Sequence, residues 1–297
     1  TMFVIPNSMI AALFVSNIAN ALMLMVFYQL VLEDFDDKVA RRAVLYISIF
    51  PMSFFLVAAY PESLFLAMAL FTFYHARRGN WWLAGGFGLL AGLTRPAGVL
   101  LLLPLCFEYV RQRQFQWRQI RWSVLALGLV PGGIALYALY CFWRFGDPLT
   151  FAHAQSSNWN REFTYPWWGI VTSLTTIFSS KGPLSFKALH NLTELGPILV
   201  VLSLLILGIV GPWRFRKAHI AYVLLGVVWM FFNLSEPVHE ALFPLRAQAR
   251  YALEVFPAFV VLAVLGRYRT VHLSYTLVST VAMCSIALQF LTGHWIT

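Results

Sequence analysis

Long apolar runs recur from Ser8 to Ile296, broken only by short polar connections. About 20 apolar residues cross a bilayer as a helix, and helices or closed barrels alone satisfy their own backbone in hydrocarbon. That pattern excludes a soluble globule. The charge content agrees, since Asp, Glu, Lys and Arg make up 11% of 297 residues, against about 25% in an ordinary soluble domain. The chain is therefore expected to be all-α, a polytopic transmembrane helical bundle forming one integral membrane domain over residues 1–297.

Spans are predicted near Ser8–Leu32, Ala43–Ala59, Val124–Phe142, Ile198–Val210, Ile220–Leu234, Tyr251–Leu265 and Leu273–Leu291. Three shorter apolar pieces, Leu64–Tyr74, Trp81–Leu93 and Ala97–Val110, bring the count to about ten segments, some short or broken. Such stubby helices are tolerated where protein or water covers the irregular backbone. Basic residues gather at alternate ends: Lys38, Arg41 and Arg42; Arg77 and Arg78; Arg111, Arg113, Arg118 and Arg121; Arg214, Arg216 and Lys217; Arg267 and Arg269. These are 14 of the 21 Lys and Arg residues, and their side is expected to be cytoplasmic. The other side then carries Thr1, the Tyr60–Ser63 turn, the Thr94–Pro96 turn, a long connection from Arg144 to about Asn191, and Ser235 to Arg250.

The net charge of +9 resides mostly in those short loops, so it reads as a topology signal facing anionic lipid and not as a nucleic-acid surface. Cys106, Cys141 and Cys284 lie within apolar runs without C-x-x-C spacing, which suggests neither a disulfide framework nor a zinc site. No basic region precedes the first apolar run, so a cleavable signal peptide is not predicted.

Charges near membrane depth are costly and mark candidate sites. Glu62 opens one short helix and Arg95 closes another. A guanidinium binds phosphate bidentately and stays charged, so Arg95 is a candidate phosphate ligand with Glu62 as acid/base group or orienting partner. A purely structural Glu62–Arg95 ion pair is the competing reading. Asp147, after Phe145-Gly146, is either a carboxylate at the mouth of the same vestibule or a turn residue. His153, Gln155 and Trp159 follow with Asn158, Asn160 and Arg161, a mixture of hydrogen-bonding groups and aromatic faces suited to a sugar. Arg250, with Tyr251, either holds a second anionic group or anchors the chain at the interface.

Several patterns fail on context. Asp34-Phe35-Asp36 lies on the basic side, where a helix-end acidic cluster is the plainer account. His239-Glu240 lacks the second histidine of a zinc helix, because Phe243 occupies that position. Gly88 and Gly92 are spaced as a helix-packing face. No metal site and no bound cofactor are expected.

Three runs, Tyr60-Pro61-Glu62-Ser63-Leu64-Phe65-Leu66, Ala76-Arg77-Arg78-Gly79-Asn80-Trp81-Trp82 and Ala91-Gly92-Leu93-Thr94-Arg95-Pro96-Ala97-Gly98, resemble the PIG-V-like mannosyltransferase family. Phe145-Gly146-Asp147-Pro148, His153-Ala154-Gln155, Trp159, Arg250-Tyr251 and Phe256-Pro257 continue the resemblance in order. It implies a GT-C type integral membrane glycosyltransferase that moves a sugar, mannose in the family, from a polyprenyl-phosphate donor to a lipid or glycan acceptor on the non-cytoplasmic face. It also implies a plasma-membrane location in a prokaryote, or the endoplasmic reticulum in a eukaryote. Glu62 and Asp147 would serve the chemistry, Arg95 and Arg250 the phosphate, and Tyr251, His153, Gln155 and Trp159 the substrate. Family members resembling this chain begin with a further span and an external loop bearing an acidic residue, so the main base is expected to precede Thr1. The alternatives are a membrane transporter or lipid flippase, or a truncated non-catalytic relative. Paired inverted repeats would mark a transporter, and none is evident.

Overall fold

A computed structural model describes residues 8–180, 182, 185–211, 215, 217–239 and 242–293. Thr1, Arg214, Arg216 and Glu240 lie outside the described residues. Twelve α-helices are present among the described residues: α1 (Ser8–Asp34), α2 (Asp37–Ser48), α3 (Glu62–Arg77), α4 (Trp81–Thr94), α5 (Leu102–Gln112), α6 (Leu129–Phe145), α7 (Thr150–Trp159), α8 (Trp168–Ser179), α9 (Phe186–Val210), α10 (Ile220–Leu234), α11 (Phe256–Leu265) and α12 (Arg269–Leu291). Short 3-10 turns join several of them, and the one β-bridge among the described residues pairs Arg161 with Val238. The expected all-α bundle is what the chain forms. Four segments, Ser8–Asp34, Trp122–Phe145, Phe186–Val210 and Arg269–Leu291, are long and apolar enough to cross a membrane, and α4, α8, α10 and α11 are shorter apolar helices.

Two departures from the expected spans have clear causes. The Ala43–Ala59 span breaks after Ser48, because Pro51 has no N–H to continue a helix and Ser53 turns its hydroxyl back onto the Ile47 carbonyl. The long connection after Arg144 contains α7, α8 and the first turn of α9. Ser185 caps α9 by accepting from the Ala188 amide at 3.3 Å, so this helix starts twelve positions before Ile198 (198 − 186).

The chain divides into two compact units: the first comprises Thr1–Leu45, Phe54–Pro148 and Phe215–Leu225, the second Tyr46–Ser53, Leu149–Arg214 and Gly226–Thr297. In the first, α1 packs on α3 through Ser16, whose hydroxyl donates to the Tyr60 carbonyl at 3.0 Å while Ser63 donates to the Ser16 carbonyl at 3.0 Å. At the other end of α1, Asp34 accepts from Arg77 of α3 and from the Tyr222 hydroxyl at 2.6 Å. The eighteen positions from Ser16 to Asp34 (34 − 16) span about 27 Å of helix, close to the thickness of bilayer hydrocarbon. Unit 1 thus has two polar ends, Tyr60–Ser63 at one and an arginine-rich group at the other.

Helices α4 and α6 run parallel, joined by a face of glycines. A Cβ on Gly88 would meet Val130 at 2.8 Å, and one on Gly133 would meet the Leu89 carbonyl oxygen at 2.2 Å, so only glycine permits this approach. The expected Gly88/Gly92 packing face is therefore real, and Gly133 answers it from α6. In the second unit, the Tyr275 hydroxyl and Ser279 of α12 donate to the Tyr46 and Ile49 carbonyls at 2.9 and 2.8 Å, and Phe50 meets Phe259 edge-on.

Candidate active site

Glu62 is the first residue of α3, after Pro61, where a carboxylate complements the helix dipole. Arg95 follows the last turn of α4 in extended backbone, as expected for a residue before proline, and its cation complements that helix end. The two meet, with Arg95 Nη1 lying 4.0 Å from Glu62 Oε1 and its guanidinium 5.8 Å from the Phe65 ring centre. Glu62 is buried and the Arg95 side chain retains 16% exposure, so the pair is shielded yet reachable. It occupies the end of unit 1 opposite Asp34 and Arg77.

Asp147 follows α6, just past its left-handed cap at Gly146. Gly92 of α4 lies against Gly133 of α6, so α6 passes the level of Arg95 near Leu136 and continues to its left-handed cap at Gly146.

The remaining candidates belong to unit 2. His153, Gln155 and Trp159 all stand on α7 and are exposed. Gln155 and Trp159, four apart, share a helix face, whereas His153 lies two positions from Gln155 and projects elsewhere. Arg250 and Tyr251 are neighbours in a 3-10 turn, with Arg250 Nη2 donating to the Tyr251 hydroxyl at 3.2 Å. Arg161 stacks on the same ring at 5.6 Å from its centre and donates to the Glu236 carbonyl at 3.2 Å, so one tyrosine carries two guanidinium groups. Burial pushes the Glu236 carboxyl above the usual carboxylate range, with Arg161 partly opposing the shift.

This cluster is held by a residue outside the sequence-based candidates. Glu194 of α9 is buried, and its two oxygens accept from the amides of Ala247 and Ala249 at 3.2 and 2.9 Å. Both amides face the carboxylate because Ala247 adopts left-handed backbone with φ 64°. Gln248 lies between them, donating to the Glu236 carbonyl at 2.9 Å. The segment that presents Arg250 is thus wrapped around Glu194.

Among curated proteins, the chain is 25% identical over 245 residues to "GPI mannosyltransferase 2" of Yarrowia lipolytica, covering 76% of this chain and 67% of that protein. That likeness agrees with the resemblance to the PIG-V-like mannosyltransferases carried by the sequence motifs. No family model matches, and no solved structure matches. The similarity supports a membrane mannosyltransferase.

The aspartates of Asp34-Phe35-Asp36 have structural partners. Asp34 accepts from Arg77 and Tyr222, and Asp36 caps α2 by accepting from the Val39 amide at 2.8 Å. No group of three metal-ligating side chains is found among the described residues. Glu194 escaped sequence reasoning because His190-Asn191-Leu192-Thr193-Glu194 reads as polar loop, and its signal was the Ser185 cap that starts the helix earlier.

Proposed function

We propose that the chain transfers mannose from a polyprenyl-phosphate donor to an acceptor hydroxyl on the non-cytoplasmic face. A carboxylate takes the proton of the acceptor hydroxyl, that oxygen attacks the anomeric carbon, and the bond to the lipid phosphate breaks with inversion. The leaving phosphate carries the electron pair away, so a fixed cation beside it lowers the barrier.

Two arginines are candidates for that cation, Arg95 in unit 1 and Arg250 in unit 2. Glu62 orients the Arg95 fork, Asp147 positions the acceptor, and His153, Gln155, Trp159 and Tyr251 serve sugar recognition. The observation that carries the reading is the Glu62–Arg95 pair at 4.0 Å. It lies about one hydrocarbon thickness from the arginine-rich end. On the charge-bias rule the arginine-rich end faces the cytoplasm, which puts Glu62 and Arg95 at the opposite interface. The likeness to a GPI mannosyltransferase supports the sugar.

The test is transfer by purified variants of the full chain. Arg95→Ala should reduce kcat about 100-fold, the cost typical of losing one donor to a developing anion. Arg95→Lys, which keeps charge but not the fork, should fall between. Near-normal turnover by Arg95→Ala in folded protein overturns the assignment and leaves Arg250 as the candidate.

A further inference from the structure

The arginine-rich end of unit 1 is mostly neutralised by neighbouring acids. Arg77 meets Asp34 and Glu108, Arg78 meets Glu33, and Arg111 grips Glu108 through two bonds of 2.7 and 2.6 Å. A cavity of about 1040 Å³ at the same end has a different balance: Arg113, Arg118 and Arg121 line it with Gln119, Trp81 and Trp122, and no carboxylate is among its described lining residues. None of these three arginines makes an ion pair among the described residues.

Arg113 is fixed by neutral partners alone. It donates to the carbonyls of Gln119 and Tyr109 at 3.1 and 3.0 Å and to Ser123 Oγ at 3.2 Å, and it lies 3.4 Å from the Tyr109 ring centre. A loop that serves only as a topology signal needs positive charge, but neither a concavity nor an ordered guanidinium. The cavity also opens onto an apolar strip. Trp122, 84% exposed, and Leu125, 58% exposed, sit three apart on one face where the segment to Phe145 begins. Tryptophan prefers the depth at which headgroups meet chains.

We propose that this cavity binds the phosphate-bearing headgroup of an anionic membrane phospholipid, with its acyl chains along Trp122 and Leu125. Guanidinium groups suit a phosphodiester, and basic pockets at helix ends are suited to anionic headgroups. Free phosphate shares the charge chemistry but makes no use of the apolar strip. The site shares no residue with those assigned to sugar transfer.

The test uses the full chain in neutral detergent, titrated with phosphatidylglycerol, phosphatidylcholine or inorganic phosphate. Lipid binding is read by native mass spectrometry and phosphate by thermal shift. Wild type should prefer phosphatidylglycerol, and Arg118→Gln/Arg121→Gln should lose about 30-fold in its affinity while Arg41→Gln/Arg42→Gln, which removes equal charge from α2, keeps it. Arg121→Gln alone, the milder change, should lose about 5-fold, so the inference stays testable if the double variant fails to fold. Equal binding of the two lipids, equal loss in the α2 variant, no loss in Arg121→Gln, or phosphate binding as tightly as phosphatidylglycerol overturns it.

Discussion

Replacing Glu194 by alanine should destabilise unit 2. The carboxylate accepts two amide hydrogen bonds at 3.2 and 2.9 Å, and a hydrogen bond to a charged group contributes about 1.5–3 kcal/mol. The cost of burying that charge disappears with it, so the net loss should be about 2–4 kcal/mol. Ala247 gives an internal control. Its φ of 64° costs an L-residue about 1–2 kcal/mol, while glycine loses about 0.5–1 kcal/mol more chain entropy on folding. Ala247→Gly should therefore stabilise by about 0.5 kcal/mol. With Glu194 gone the turn is free to relax, so this gain should vanish in Glu194→Ala/Ala247→Gly, a coupling that a double-mutant cycle isolates. Unfolding in mixed detergent micelles, followed by tryptophan fluorescence, measures all four proteins. The reasoning fails if Glu194→Ala unfolds with wild type, or if Ala247→Gly gains equally in both backgrounds.

Other expectations concern packing and charge elsewhere. Gly133→Ala should destabilise by about 1–3 kcal/mol through overpacking against Leu89, whereas Gly86→Ala, whose Cβ meets nothing within 4 Å, should be neutral or stabilising; thermal shifts of the two variants decide. Asp34→Asn should cost about 1–3 kcal/mol by replacing the charged acceptor of Arg77 and Tyr222, with Glu108 still 3.6 Å from Arg77, measurable by the same micelle unfolding. Because the Glu236 carboxyl is held above its ordinary range by burial, the folded state binds that proton more tightly than the unfolded chain does. Stability should fall as pH rises from the ordinary carboxylate range through the raised folded value, and Glu236→Gln should flatten that slope in a pH series.

The sequence was most readable where one physical rule acted alone. Uninterrupted apolar runs identified α1, α10 and α12, and the Gly88/Gly92 spacing identified a packing face because close backbone approach demands glycine. Glu62 and Arg95 stood out as charges beside prolines at helix ends, and the fold brings them to 4.0 Å. Legibility was lost where polar residues sit inside a helix. Asn191 and Glu194 are buried in α9 and satisfied by backbone of a distant segment, Asn191 by the Leu242 carbonyl at 2.9 Å, and nothing in local periodicity announces such partners. The parallel run of α6 past α4 was hidden as well, because it follows from glycine contacts between helices and not from hydropathy.

The donor is the claim on which the account rests. The purified protein, with and without its expected upstream segment, in liposomes of native membrane lipid should be offered mannose on a polyprenyl phosphate and, separately, mannose on a nucleotide diphosphate, with transfer to the lipid acceptors counted by radiolabel. The account predicts transfer from the polyprenyl phosphate alone. Transfer from the nucleotide sugar with none from the lipid phosphate contradicts it.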